Sequence, residues 1–481
     1  MRKKRAVIIA ALVTLLFSTI ALPSNNEIME GAWQGILKVS GIELRIVFKI
    51  SRGPEDILTA TMDSPDQGAK DIPVDEVIFE NGSLRLEIKS AMIVFEGKLK
   101  DDDLSIEGEL RQSGQSFPLV LKRVDEPAQV RRPQEPKKPY PYEEEEVVYE
   151  NKEAAVKLAG TLTIPGQEGP FPAALLISGS GPQDRDETLL GHHPFLVLAD
   201  YLTRLGIAVL RVDDRGVGKS GGDFTQATSE DFASDVLAGL EYLKSREEIN
   251  PKQIGLIGHS EGGIIAPMVA VQSSDVAFII LMAGTGLIGE EILYLQGELI
   301  LRAEGASDEP IARNRSLQEQ MFIVVKEEKD NSVAEKRVRA ILQDAMPEVS
   351  EEQRKGAEAA VEAQIQWVLS PWFRHFLAYD PKPTLMKVKC PVLAINGQKD
   401  VQVPPKENLA AIEEALKAGG NNNYTIKELS GLNHLFQTAQ TGAISEYARI
   451  EETISPTALK IMGDWILEQT EDKSISNCGC Q

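Results

Sequence analysis

The sequence predicts an α/β domain, with a mainly parallel sheet and a helical cap insertion, preceded by a small antiparallel all-β domain. Three observations carry that expectation. Residues 28–124 alternate apolar and polar side chains between turn-forming clusters, the period-two pattern of antiparallel strands. From about residue 146 onward, short and nearly continuous apolar runs alternate with helical stretches, as expected for strands buried on both faces of a parallel sheet. Between about 285 and 384 a charged helical block interrupts that rhythm.

Taken in order, residues 1–24 read as a signal peptide. MRKKR is followed by an uncharged apolar run from Ala6 to Leu22 and by small residues near Ala21 and Ser24. The expectation is an exported protein (periplasmic, secreted or at the cell surface). A retained anchor is the alternative, and this segment is then the chain's one contact with a membrane. Residues 25–125 form the β-domain, a meander or small barrel built from GILKVSGIELRIVFKIS, LRLEI, MIVFEGKL and LSIEGEL. It holds neither His nor Cys, which argues for an accessory role. Residues 126–145, rich in proline and charge, read as a semi-rigid linker. Residues 146–471 are then the catalytic domain, and 472–481 a flexible tail carrying Cys478 and Cys480.

The chemistry is concentrated in QIGLIGHSEGGIIAP, residues 253–267. An apolar strand closes at Gly258 and a helical pattern opens almost at once, so His259, Ser260 and Glu261 occupy a very tight strand-to-helix turn. Gly258-His259-Ser260-Glu261-Gly262 fits G-x-S-x-G, in which the serine sits on a strained turn with its Oγ clear of the sheet. A serine hydroxyl needs a base and a carboxylate to act as a nucleophile. NGQKDVQVP places Asp400 just past the strand PVLAI, and YTIKELSGLNHLF places His434 in a loop after another strand-like run. The order Ser260, Asp400, His434 is the one used by G-x-S-x-G hydrolases of this architecture.

An oxyanion site needs two N–H donors. The backbone of Glu261 supplies one, and the loop ISGSGPQDRD supplies the other, with Ser180 as first choice and Gly181 as second. Of the five histidines, His259 occupies the variable position of the motif. His192 and His193 lie upstream in GHHPF, lining a pocket rim or facing solvent. The aromatic cluster QWVLSPWFRHFLAYDP ends the cap, and its Trp367, Trp372, Phe373, Phe376 and Tyr379 suggest an apolar pocket, with Trp372, His375 and Phe376 as candidate substrate contacts; packing of the cap on the core is the competing explanation for each.

SGSGPQDRD, RVDDRGVGKSGG, GHSEGG and the Asp400 and His434 loops together resemble the α/β-hydrolase superfamily, across roughly residues 146–470. The similarity is to bacterial serine esterases near the prolyl-oligopeptidase-like and serine aminopeptidase relatives. It implies an α/β-hydrolase fold and a hydrolase of carboxylic esters or amides that needs no cofactor. The histidine that often opens the oxyanion loop of such proteins is replaced here by Ser178-Gly179.

Several classes are excluded. A net charge of −22 opposes nucleic-acid binding. GVGKS, residues 216–220, lacks the first glycine of a phosphate-binding loop and carries Asp213 in its place, so no nucleotide is expected. That segment reads instead as a turn in which an Asp–Arg contact braces the catalytic loops. No metal-ligand spacing is present, and no metal is expected. The leading expectation is a carboxylesterase acting on a small-molecule ester of short to medium acyl chain. A peptidase acting on small peptides and a catalytically silent binding scaffold are the alternatives.

Overall fold

In the first unit, alternation along each strand builds one buried face. The computed structural model describes residues 26 and 28–471, apart from 40–41, 55–56, 101–103, 113–114, 128–129 and 346–350. The expected signal peptide and the Cys478–Cys480 tail therefore lie outside the described residues. The chain divides into two compact units, one made of the residues up to Asp63 with Asp71–Pro127, the other of Ser64–Lys70 with the residues from Ala128 onward.

The first unit is all antiparallel: β1 (Gly31–Val39), β2 (Ile42–Arg52), β3 (Leu58–Ser64), β4 (Ala69–Val74), β5 (Glu76–Glu80), β6 (Ser83–Ile88), β7 (Ile93–Leu99), β8 (Ser105–Gln112) and β9 (Gln115–Val124). Their order is β4-β3-β2-β1-β9-β8-β7-β6-β5. Every neighbour pair but β1–β9 is consecutive in the chain, the wiring of an up-and-down meander whose ends meet at β1 and β9. Trp33, Phe48 and Phe95 are fully buried at its centre with Leu84, Leu86 and Ile106. The Trp33 Nε1–H donates to the Met29 carbonyl at 2.8 Å, so its one polar atom is satisfied inside the core.

The second unit holds an eight-stranded sheet: β10 (Tyr142–Asn151), β11 (Val156–Pro165), β12 (Phe171–Ile177), β13 (Ala208–Val212), β14 (Ile249–His259), β15 (Val276–Met282), β16 (Val392–Gly397) and β17 (Tyr424–Leu429). The order is β10-β11-β13-β12-β14-β15-β16-β17, antiparallel from β10 to β13 and parallel from β13 to β17. Adjacent residues of β14 show why its apolar run is continuous. Leu256 packs with the core on one side of the sheet and Ile257 with that on the other. Helices α2 (Ser229–Lys244) and α3 (Gly262–Gln272) cover the first side; α1 (Pro194–Arg204) and α11 (Pro456–Thr470) cover the second.

Between β15 and β16 the chain builds the cap: α4 (Gly289–Ala303), α5 (Asp308–Glu327), α6 (Asn331–Ala345), α7 (Glu351–Val368) and α8 (Pro371–Ala378). The cap has its own core around Phe322, Val338, Ile365 and Phe373. Helices α9 (Lys382–Leu385) and α10 (Pro405–Ala418) return the chain to the sheet.

One expectation is revised. The segment read as a linker, 126–145, ends inside β10, where Glu143, Glu144 and Glu145 lie on an exposed edge strand paired with β11. Upstream, Arg132 donates to four carbonyls, those of Leu190, Gly191, Ala448 and Ile450. Gln134 adds bonds to the Ile454 carbonyl and the Thr453 N–H. The segment is tied down by side-chain hydrogen bonds, which composition does not report. Arg132→Ala should therefore destabilise this unit by about 2–4 kcal/mol, because charged hydrogen bonds contribute roughly 1.5–3 kcal/mol each and are not fully additive. The expected reading is a lower thermal midpoint with the activity of the folded protein retained.

Candidate active site

The turn after β14 is strained in the way its sequence predicts. Ser260 has φ +52°, in the left-handed region, which costs a side-chain-bearing residue about 1–3 kcal/mol. Two glycines make the turn sterically possible. A Cβ on Gly258 would lie 1.9 Å from the Gly262 carbonyl oxygen, and one on Gly262 would lie 2.2 Å from that of Ile177. The Ser260 N–H continues the ladder to the Met282 carbonyl at 2.8 Å. At the start of α3, the N–H of Glu261 donates to no acceptor in the described structure, and neither does that of Ser180.

Asp400 follows β16. Its Oδ1 accepts from the backbone N–H groups of Gln402 and Val403, both at 2.8 Å. Its Oδ2 faces His434 Nδ1 at 2.8 Å, and both residues are buried. The carboxylate is thus fixed by backbone donors and presents its remaining oxygen to the imidazole, an arrangement that holds one tautomer and stabilises an imidazolium. The His434 ring stands 4.8 Å from that of His259, the residue before Ser260. Ser260 Oγ and His434 are not hydrogen-bonded to each other in this structure.

A buried ion pair supports both loops. His259 Nδ1 is 2.8 Å from Glu187 Oε1, and its Nε2 is 3.1 Å from the His434 carbonyl. Both ring nitrogens face acceptors, which calls for the doubly protonated ring. Burial alone would lower the His259 pKa, but the Glu187 carboxylate outweighs it and the pKa is raised. Glu187 Oε1 also accepts from the Gly179 N–H at 2.7 Å. A Cβ on Gly179 would come 3.3 Å from Ser260 Cβ, so that loop lies directly against the serine.

Two Asp–Arg contacts brace this segment: Asp213 forms a two-oxygen pair with Arg185 at 2.8 and 3.0 Å, and Arg215 pairs with Asp235. Asp214 instead accepts from the Ser178 hydroxyl at 2.8 Å and the Gln183 N–H at 3.0 Å. Burial raises its pKa to about 8, with the neighbouring Glu261 and Glu187 carboxylates adding to the shift.

Two cavities adjoin each other here, and Ser260 lines the inner one alone. The inner one is lined by Ser180, Ser260, Trp372, Phe376 and Val403 among others, and the larger, more open outer one shares Ser180, Trp367 and Trp372 with it. Trp372 is fixed by an indole N–H bond of 2.7 Å to Glu261 Oε1, which also takes the Ser229 hydroxyl at 2.6 Å. Burial raises the Glu261 pKa.

Of the cap residues singled out from sequence, Trp372 and Phe376 line the inner cavity. His375 lines neither; it stacks on Tyr379 at 5.6 Å with its pKa lowered by burial. His192, expected at a rim or in solvent, is fully buried between Thr453, Tyr447 and Gln437, and burial lowers its pKa to about 4. Gly181, the second choice of donor, lines the outer cavity. Trp367, from the same aromatic cluster, lines both cavities. Sequence reasoning passed over Glu187 and Thr285, which no motif marks. Among the described residues no group of three or more His, Cys, Asp or Glu is arranged to hold a metal ion.

The Asp214 shift has a testable sign. The fold holds this proton where the unfolded chain has lost it, so stability falls as pH rises from about 4, the ordinary aspartate value, to about 8. Asp214→Asn keeps an acceptor for the Gln183 N–H and offers its amide N–H to the Ser178 hydroxyl oxygen, which can turn its own proton away. Its stability relative to wild type should grow across that window in denaturant titrations, and a difference independent of pH would contradict the assignment. In the same way, Trp372→Phe leaves Glu261 Oε1 with Ser229 alone. It should cost about 1–3 kcal/mol in a urea melt.

The sequence is 26% identical over 288 residues to the esterase EstD of Thermotoga maritima, a match covering 60% of this chain and 60% of that protein, less than two thirds of its length. A shorter match, 36% identical over 118 residues, is to the hydrolase named YtaP of Bacillus subtilis, described as putative, and covers 21% of this chain and 38% of that one. The Pyrococcus furiosus esterase Pf2001 superposes with a TM-score of 0.44 at 17% identity, over 68% of this chain and 91% of that chain. The sequence model described as X-Pro dipeptidyl-peptidase (S15 family) matches residues 154–429, more than half of the chain. The chain, with its serine on the turn between β14 and α3, therefore belongs to the family described as X-Pro dipeptidyl-peptidase (S15 family).

Proposed function

We propose that the protein is a serine hydrolase that cleaves carboxylic esters of short to medium acyl chain through an acyl-enzyme. The observation that carries the reading is the strained Ser260, which lines the apolar inner cavity while the buried Asp400–His434 pair stands beside the preceding residue. In this reading Ser260 Oγ attacks the acyl carbon and His434 takes its proton. Asp400 holds the imidazolium. The free N–H groups of Glu261 and Ser180 receive the developing oxyanion, and His434 returns the proton to the leaving alcohol. Water, deprotonated by His434, then attacks the acyl-enzyme and releases the acid. The basic and apolar leader supports export as part of the same proposal.

The family description favours a second reading, a peptidase. An aminopeptidase needs a carboxylate to hold the substrate amine. Glu261 is the one acid among the described residues lining the two cavities, and its Oε1 already holds Ser229 and Trp372. That supports ester over amide substrates. Ser260→Ala should abolish turnover of para-nitrophenyl esters, and Asp400→Asn should lower kcat by about 10⁴-fold with KM little changed. Aminoacyl anilides turned over faster than esters would move the assignment to the peptidase.

A further inference from the structure

The outer cavity differs in charge from the rest of the molecule. The chain carries 73 acidic residues in 481 and a net charge of −22. Even so, none of the described residues lining this cavity is Asp or Glu, whereas Lys329 and Arg374 both are among them. Among the described residues, no carboxylate pairs with either cation. The Arg374 guanidinium is held by the Val325 and Glu328 carbonyls and by Asn331 Oδ1, and its buried Nε has no partner. Lys329 Nζ donates to the Lys326 carbonyl at 3.3 Å. Trp367, half exposed, stands at the boundary that this cavity shares with the inner one, beside Ser180 and Trp372. A substrate whose carbonyl sits at Ser260 has a route past Trp372 into this compartment.

Resting on the esterase reading, we propose that the outer cavity is a subsite for a carboxylate borne by the substrate, with Lys329 and Arg374 supplying the opposing charge. The natural substrate class is then an ester that carries a free carboxylate on its acyl or alcohol side. Arg374 is locked by carbonyl acceptors and acts as a fixed positive charge, and Lys329 supplies the mobile donor. Selectivity is electrostatic and depends on salt.

The test compares two matched pairs of esters. Para-nitrophenyl hydrogen glutarate against para-nitrophenyl valerate places the charge on the acyl side; para-acetoxybenzoate against para-tolyl acetate places it on the leaving group. In the wild-type full chain, kcat/KM should favour the charged member of one pair by about 2–5-fold at low salt, the range of exposed ion pairs. In about 0.5 M salt the preference should shrink. Lys329→Glu alters an exposed side chain and should reverse it. Lys252→Glu makes the same change of charge at the start of β14, away from the cavity, and should leave the ratio unchanged. Absence of preference in both pairs, or an equal effect of the two substitutions, overturns the inference while Ser260-dependent turnover of the neutral esters keeps the esterase reading. Loss of Ser260 dependence for the neutral esters overturns both.

Discussion

The site depends on one close approach of backbone to backbone. Between Gly258 and Gly262 the chain turns from strand to helix in so little space that a Cβ at either glycine meets a carbonyl oxygen well inside contact distance. That packing holds Ser260 in a left-handed conformation it would not keep in isolation. It also opens α3 beneath the serine, leaving the Glu261 N–H unpaired at a helix N-terminus, where negative charge is favoured. The strain is local, and the parallel ladders on both sides of β14 offset it.

Around that turn the loops are tied to each other more than to the sheet. Glu187 binds the Gly179 N–H and His259, and His259 binds the carbonyl of His434. One ion pair therefore fixes the spacing between the Ser180 loop, the Ser260 turn and the His434 loop. A buried pair of this kind adds little net stability, because desolvation opposes the Coulomb gain, but its fixed geometry keeps three loops in register. On the other side of the serine, Glu261 performs a similar task for the cap, holding the Trp372 indole that lines both cavities. Trp372→Phe and Glu261 variants thus bear on cavity shape as well as on stability.

The Asp213–Arg185 and Arg215–Asp235 pairs show how a sequence resembling a nucleotide loop serves another end. In place of phosphate, the segment around Asp213 receives the Arg185 side chain and backbone N–H, and the Lys219 N–H. Asp213 takes the position a phosphate-binding loop gives to glycine, which is why the sequence already argued against a nucleotide.

The sequence by itself determined what depends on nearest neighbours and short periods. The alternation of 28–124 specified antiparallel strands, the continuous apolar runs specified doubly buried ones, and the two glycines flanking Ser260 specified the turn. The order Ser260, Asp400, His434 was legible because each residue follows a strand. Tertiary structure alone decided the long-range partners. Glu187 lies 72 residues from His259, and Trp372 lies 111 from Glu261, so no periodicity joins them. The acidic run at 143–146 looked like linker because an edge strand exposes its side chains to water, and only pairing with β11 identifies it as sheet. His375 and Trp372 share one helix and one aromatic cluster, yet only Trp372 reaches the cavities, since their positions around α8 are resolved by packing and not by composition.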